Sequence, residues 1–400
     1  MPSWCCACGD PEDVDDAYRR HVDPAEGQIQ NPATVSTAVV GAEDFELLRV
    51  LGRGTYGKVV QVRKRDTGTL YAMKIMRKED VLLRNQVKHT LTERHVLQTV
   101  RHPFIVGLQF AFQTDQKLYL VLPFMSGGEL FFHLRRERAF PEARVLQYAA
   151  EILLALQELH RHDVVYRDLK PENVLMDAEG HLALSDFGLA KEAITTLPGG
   201  ASTFCGSPSY MAPEVLLGTG HGFAVDWWSF GTLVYEMLVG VPPFYSRNLH
   251  AMYRAILHGE LRIPKSVGAA ARSLLEALLR REVPKRLGTA GDAERVRRHR
   301  FFRSVDFAKV LARGYAPAFK PPLKDSSDTA NFDATFTDEP VLDSISASDP
   351  AAVLGERHAE AAEAFVGWDS FSRPGGGGGA ARGMAVVAAE EPGSSAGGRV

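Results

Sequence analysis

Apolar residues along the chain follow two successive rhythms, and the change between them organises the sequence. Patterned sequence begins at "DFELLRVLGRGTYGKVVQVRKRDTGTLYAMKIM". Alternation through Val59, Val60 and Val62, the turn "RDTG" and then "LYAMKIM" predict consecutive antiparallel strands. A helix is predicted over "QVKHTLTERHVLQTV", with Val87, Leu91, Val96 and Val100 near one face, and two further strands over "IVGLQFAFQTD" and "KLYLVLPF". Beyond "MSGGEL" the period becomes helical in long runs: "ARVLQYAAEILLALQELHRH", "DWWSFGTLVYEML", "LHAMYRAILHG" and "AARSLLEALLRR". A small sheet lobe joined by one short connection to a larger helical lobe leaves a cleft, where the chemistry should sit.

The flanks carry no such period. Residues 1–43, rich in Asp, Glu, Pro and Ala, read as a disordered extension; residues 303–371 are irregular and end in the aromatic cluster "FVGWDSF"; residues 372–400 are a low-complexity Gly/Ala-rich tail. Between them, 44–302 divides at the connection into 44–124 and 125–302. The large apolar side chains of Phe365, Trp368 and Phe371 need a surface to meet.

Composition narrows the class. A chain with 45% hydrophobic and 24% charged residues has the makeup of a soluble globular protein. A net charge of -3, dispersed along the sequence, gives no global reason for nucleic acid or an anionic membrane as partner. With neither a transmembrane run nor a secretory signal, the expected location is cytoplasmic, with nuclear access compatible. Cys5, Cys6 and Cys8 cluster far from Cys205, which is no disulfide framework. They read as free thiols, as half a zinc site without a matching pair, or as acylation sites that would anchor the chain to membrane.

Four stretches carry chemistry. Gly52, Gly54 and Gly57 form a GxGxxG between two strands, where glycine lets backbone N–H groups approach phosphate oxygens. A dinucleotide-binding turn shares the spacing but opens a helix, and the GK[ST] of a Walker loop is missing. Lys74 ends an apolar strand, and Glu93 on the following helix can hold its ammonium against nucleotide phosphates. "YRDLKPEN" offers Asp168 to accept or orient a hydroxyl proton, Lys170 to neutralise a transferring phosphoryl group and Asn173 to bind metal. "SDFG" adds Asp186 as a second oxygen ligand suited to Mg2+.

With these motifs in order, and "APE" after them, the stretch 45–302 resembles a eukaryotic protein kinase. The resemblance implies an α+β bilobal fold: a small antiparallel β lobe with one key helix and a larger, mainly helical lobe. It implies ATP and Mg2+, with Lys74, Asp168, Lys170, Asn173 and Asp186 in the catalytic set. ATP would lie against Leu51, Gly52, Arg53, Gly54, Thr55, Tyr56, Gly57, Lys58, Val59, Ala72, Lys74, Glu93, Pro123, Met125, Glu129, Leu175 and Phe332. It further implies a Glu214–Arg286 brace, Asp226 holding the catalytic loop, and Leu97, Leu108, Tyr166 and Phe187 stacked between the lobes. Lys170 in "RDLKPEN" resembles the serine/threonine kinases, making Ser or Thr the acceptor.

The tail narrows the resemblance to the AGC group, nearest its protein kinase B and serum/glucocorticoid-regulated branch, through "STFCGSPSYMAPE", "NFDATFTDEP" and "FVGWDSF". About 43 residues precede the patterned region, fewer than a pleckstrin-homology domain needs. Leu122 is the gatekeeper, and Pro123 replaces the usual glutamate, which leaves the carbonyl that adenine needs while Met125 supplies the N–H. By resemblance Thr203 is a phosphosite for a kinase of the phosphoinositide-dependent type, held by Arg167 with His89 and Lys191. Phe204, Pro208 and Met211 line a pocket after the acceptor; Glu129, Glu172 and Glu236 read arginines before it, giving an Arg-x-Arg-x-x-Ser/Thr preference. Ser209, where the group has glutamate, removes a charge near that groove. Asp369 occupies the phosphorylated position of the aromatic motif, with Ser370 as a displaced phosphosite and Phe371 one residue late. The expected enzyme is a monomer. A nucleotide-binding pseudokinase and a small-molecule phosphotransferase are the competing classes; all catalytic groups stand against the first, Thr203 and "APE" against the second.

Overall fold

Two glycines with empty space above them and one with none set the first hairpin. In the computed structural model, which describes residues 40–54, 57–192, 205–341, 363–369 and 371–372, a Cβ at Gly52 or Gly54 would come no closer than 4.0 Å to other atoms. One at Gly57 would collide with the Ile75 backbone of the neighbouring strand. Gly57 therefore serves strand packing, whereas Gly52 and Gly54 leave room for a ligand.

The hairpin joins β1 (Phe45–Gly54) to β2 (Gly57–Lys64), and β3 (Leu70–Arg77) follows. Two helices come next, a short α1 (Lys78–Leu83) and α2 (Val87–Thr99), then β4 (Phe110–Gln113) and β5 (Lys117–Pro123). These strands form one antiparallel sheet in the order β1-β2-β3-β5-β4. Under it Phe45, Tyr71, Phe110, Phe112 and Tyr119 make an aromatic layer, with Phe112 stacked on Tyr119 at 4.7 Å.

Two sequence expectations need correction. Leu91 is 38% exposed; α2 instead buries Thr90, Glu93, Val96 and Leu97. That face carries a carboxylate because its partner lies inside, so apolarity alone points the helix wrongly. The strand predicted from Ile105 begins only at Phe110, since Ile105 bridges to Leu184 of the other lobe and leaves the sheet.

The large lobe starts with β6 (Gly128–Glu129), α3 (Leu130–Glu137) and α4 (Glu142–Arg161), followed by β7 (Val174–Met176) and β8 (Leu182–Leu184). Strands β6, β7 and β8 form a second small sheet facing the cleft. Then come α5 (Pro213–Leu217), α6 (Ala224–Val239), α7 (Leu249–His258), α8 (Ala269–Leu278) and α9 (Asp292–Arg297). Helix α6 is buried from Ala224 to Met237, so it is the lobe's central axis, consistent with its apolar character all round.

The C-terminal segment is not featureless. It contains α10 (Phe307–Leu311) and α11 (Ala334–Thr337), and β9 (Phe371–Ser372) pairs with the free edge of β4. Phe365 and Trp368 are 0% and 1% exposed and join the main core. Among the described residues, no helix is long and apolar enough to cross a membrane.

Candidate active site

The cleft is built from both lobes. Lys74 sits mid-β3 in register with Val59 and Leu120, which aims its side chain into the cleft. Its ammonium lies 2.6 Å from Glu93 Oε1 and 3.8 Å from Asp186 Oδ1. Burial opposes the charge on Lys74, but the two carboxylates outweigh it and hold the ammonium above its ordinary range. Lys74 in turn is the main influence pulling the Asp186 carboxyl below the usual range.

Across the cleft, Asp168 is held by donors from three directions. Lys170 Nζ donates to its Oδ2 at 2.7 Å, Asn173 Nδ2 to the same oxygen at 2.9 Å, and Ser207 Oγ to Oδ1 at 3.2 Å. Asn173 also bonds the Asp168 carbonyl. The loop carrying them hangs from Asp226 of α6, whose carboxylate accepts the amides of Tyr166 and Arg167 at 2.9 and 2.8 Å. Arg167 and Asp186 adopt positive φ of 67° and 53°, backbone held in an uncommon region by these surroundings.

Behind the reactive groups, Leu97, Leu108, Tyr166 and Phe187 lie buried in one cluster, Tyr166 and Phe187 with ring centroids 5.4 Å apart. Arg286 makes a paired contact to Glu214, at 2.6 and 2.9 Å. At the connection between lobes, Leu122, Met125 and Leu175 pack with Val106 and Ala183 into a small apolar cluster. The sequence reading does not single out Val106 and Ala183; the position of Ala183 on β8, three residues before Asp186, is the signal that it passes over.

Matches to known families fit this geometry. The protein kinase domain family matches residues 45–302, and the protein kinase C terminal domain family matches residues 323–369. The chain belongs to the protein kinase family. Its pairing of catalytic domain and C-terminal domain is that of the AGC group. The kinase is 55% identical over 303 residues to "Protein kinase 2" of Dictyostelium discoideum, covering 76% of this chain and 63% of that protein. It is 51% identical to the "RAC family serine/threonine-protein kinase homolog" of the same organism, covering 75% and 67%. It is 46% identical over 346 residues to "Serine/threonine-protein kinase Sgk1" of Danio rerio, covering 86% and 80%. The chain thus spans just under two thirds of the first of these relatives.

The kinase's tail reaches the cleft from outside. Phe332 stacks on Phe124 of the connection at 5.7 Å, and Asn331 Nδ2 donates to the Ser126 carbonyl. Arg53 of the glycine hairpin donates to Glu339 from Nε at 2.9 Å and from Nη2 at 2.6 Å. The sequence reading misses Glu339, since 286 residues separate it from its partner.

Three acidic groups gather beside the catalytic loop. Glu236 is buried and contacts the Tyr210 hydroxyl. Burial, opposed by Tyr210 and reinforced by Glu172, lifts it to about 7. Glu129 faces the cleft, and crowding by protein together with Glu172 also lifts it to about 7. Met211 is buried and Pro208 exposed. Thr55, Tyr56, Thr203, Phe204 and Ser370, like the N-terminal cysteines Cys5, Cys6 and Cys8, lie outside the described residues.

Among the groups expected near a phosphate on Thr203, His89 Nδ1 is 2.6 Å from the Gly188 carbonyl and Arg167 Nε donates to Leu189 at 2.7 Å. The buried Arg167 Nη1 has no hydrogen-bond partner among the described residues. Lys191 is lowered by partial burial and then by the positive charges of Arg167 and Lys88.

Proposed function

We propose that this kinase transfers the γ-phosphate of ATP to serine or threonine in protein substrates. The observation that carries the reading is the closed Lys74–Glu93 pair at 2.6 Å opposite an Asp168 already oriented by Lys170 and Asn173. In this reading Lys74 grips the α- and β-phosphates, Asp168 orients the acceptor hydroxyl and takes its proton, and Lys170 neutralises the transferring group. Gly52 and Gly54 cover the phosphates, for which their open upper side leaves room. Adenine lies on the cluster of Leu122, Val106, Met125, Leu175 and Ala183, with Ala72 and Phe332 closing its sides.

Asp186 and Asn173 suit Mg2+. Asn173 spends its N–H groups on Asp168, which leaves its side-chain oxygen for a cation, and two protein oxygens match an ion that keeps several waters and binds phosphate. When bound, the ion supplies positive charge to the phosphate oxygens.

The substrate preference we infer is for arginine before the acceptor. Loss of water raises Glu129 and Glu236 to about 7, with Glu172 adding repulsion to each, and a guanidinium bound beside them would favour their charged forms. Phosphorylation of Thr203 by a kinase of the phosphoinositide-dependent type would satisfy Arg167 Nη1 in a crowd of positive charge. The C-terminal motif is the second input. Trp368 Nε1 donates to the Tyr119 carbonyl, Arg94 lies 5.7 Å from the Trp368 ring and bonds the Gly367 carbonyl, and Gln113 Nε2 donates to Asp369 Oδ2 at 3.0 Å. Asp369 thereby brings about -1 of charge beside β4 where a phosphate would bring about -2, while Gly367 and Trp368 brace α2 through Arg94, hence Glu93.

The test is phosphate transfer from Mg-ATP to an arginine-directed peptide library by the Thr203-phosphorylated chain. Transfer that falls when the arginines are replaced by leucine is the expected result; equal transfer to both libraries would sink the substrate assignment. Asp369→Ala should lower activity where Ser370→Ala does not, and the opposite pattern would refute the role of Asp369.

A further inference from the structure

Five arginines crowd one stretch of the large lobe with almost no acid to answer them. The run "RVRRHRFFR" places Arg295, Arg297, Arg298, Arg300 and Arg303 within nine residues and holds neither Asp nor Glu, in a chain whose net charge is -3. Helix α9 turns Ala293 and Val296 inward and packs on α4, and the short turn Arg300–Phe302 buries Phe301 and Phe302. Arg295 and Arg298, three residues apart, take the outer face of α9, and Arg300 and Arg303 are exposed beside them.

The acids nearby are spent. Glu294 is shared between Arg297 at 3.3 Å and Arg298 at 2.9 Å. Asp292 faces inward to His160 and Trp227, and Asp306 caps α10 by accepting the Lys309 amide. Arg300 donates to the Ala269 carbonyl at the start of α8. Among the described residues, no acid pairs with Arg295, Arg300 or Arg303. The result is a face of concentrated positive potential.

A matching charge lies in the same chain. The stretch "DPEDVDD", Asp10 to Asp16, carries five acids in seven residues and no base, and lies outside the described residues. From Asp16 to Val40, the first described residue, the chain spans up to about 80 Å when extended, against roughly 50 Å across a folded chain of this size. It can therefore reach any face, and tethering makes the encounter intramolecular. An anionic bilayer would also suit the arginines, but it would repel the acids that follow Cys8.

We propose that the arginine face of α9 and the turn after it docks the acidic stretch Asp10–Asp16 of the same chain. Docking holds Cys5, Cys6 and Cys8 against the large lobe. Each ion pair is exposed and weak alone, so the contact is collective and sensitive to salt.

The test uses the full chain with Cys5→Ser, Cys6→Ser and Cys205→Ser, leaving Cys8 to carry a nitroxide. Amide NMR signals of residues 295–303 should broaden at low ionic strength and recover in about 1 M salt, where screening acts within about 3 Å. Arg295→Glu, Arg298→Glu and Arg303→Glu together should abolish the broadening. So should Asp10→Asn, Glu12→Gln, Asp13→Asn, Asp15→Asn and Asp16→Asn together. Adding Asp13→Lys, Asp15→Lys and Asp16→Lys to the arginine reversals should restore it in part. Broadening that is absent at low ionic strength, or that survives either set of changes, would overturn the docking. Binding to phosphatidylserine vesicles that needs the arginines, without broadening in the labelled chain, would overturn it too and give the face to a bilayer. If the arginine variant fails to fold, the acidic variant, whose changes lie outside residues 44–302, still decides.

Discussion

Carboxylates in this cleft do different work because their neighbours differ. Asp186 is depressed by Lys74, whereas Glu236 is raised to about 7 chiefly by burial, and Glu129, open at the cleft, is raised to about 7 by the protein around it and by Glu172. If the raised pair binds a substrate arginine as proposed, protons compete with it there but not at the proposed metal ligand. The KM for an arginine-directed peptide should rise as pH falls through about 7, while the KM for ATP stays level over the same range. Steady-state kinetics between pH 6 and 8 checks this, and parallel changes in both constants would contradict it. Glu214 and Arg286 illustrate the structural side: removing one partner strands a buried charge at a cost of about 3–5 kcal/mol. Glu214→Gln should accordingly lower the urea midpoint clearly.

Elements succeed or fail to be legible according to how local their causes are. The strands through Lys74 and the long helices follow from period alone, and the catalytic loop and "SDFG" lie in short contiguous motifs. Helix α2 is misread at Leu91 because its inner face is defined by Glu93 meeting Lys74, a pairing across the sheet. Contacts of long sequence separation leave no local trace: β9 on the edge of β4, Glu339 on Arg53, and Asp292 on His160. The second of these ties the glycine hairpin to the tail beyond α11. Such an exposed ion pair is weak, so Glu339→Gln should raise the KM for ATP by severalfold at most. A charge-swapped pair, Arg53→Glu with Glu339→Arg, should restore it; independent effects of the two changes would contradict a tether.

At the scale of the whole molecule the tail acts as a third partner between two lobes. It meets the connection through Phe332 and Asn331, the glycine hairpin through Glu339 and the helix α2 through Trp368. Trp368→Ala removes a side chain that is almost wholly buried, one of the two aromatic anchors, with Phe365, of a segment only a few residues long. Activity should fall strongly while far-ultraviolet circular dichroism of the folded domain is kept; full activity would show that docking is dispensable. The aromatic cluster at the end of the sequence, apolar without a local reason, is explained only at this scale.

Phosphoryl transfer at the Asp168–Asp186 cleft is the activity on which every other proposed role of these residues depends. Its most direct test is release of labelled γ-phosphate from Mg-ATP into an arginine-directed peptide, by the wild-type chain and by Asp186→Ala. Transfer by the wild type that is lost in Asp186→Ala, with both proteins folded, is the predicted result. No transfer by the wild-type chain after Thr203 phosphorylation would contradict it.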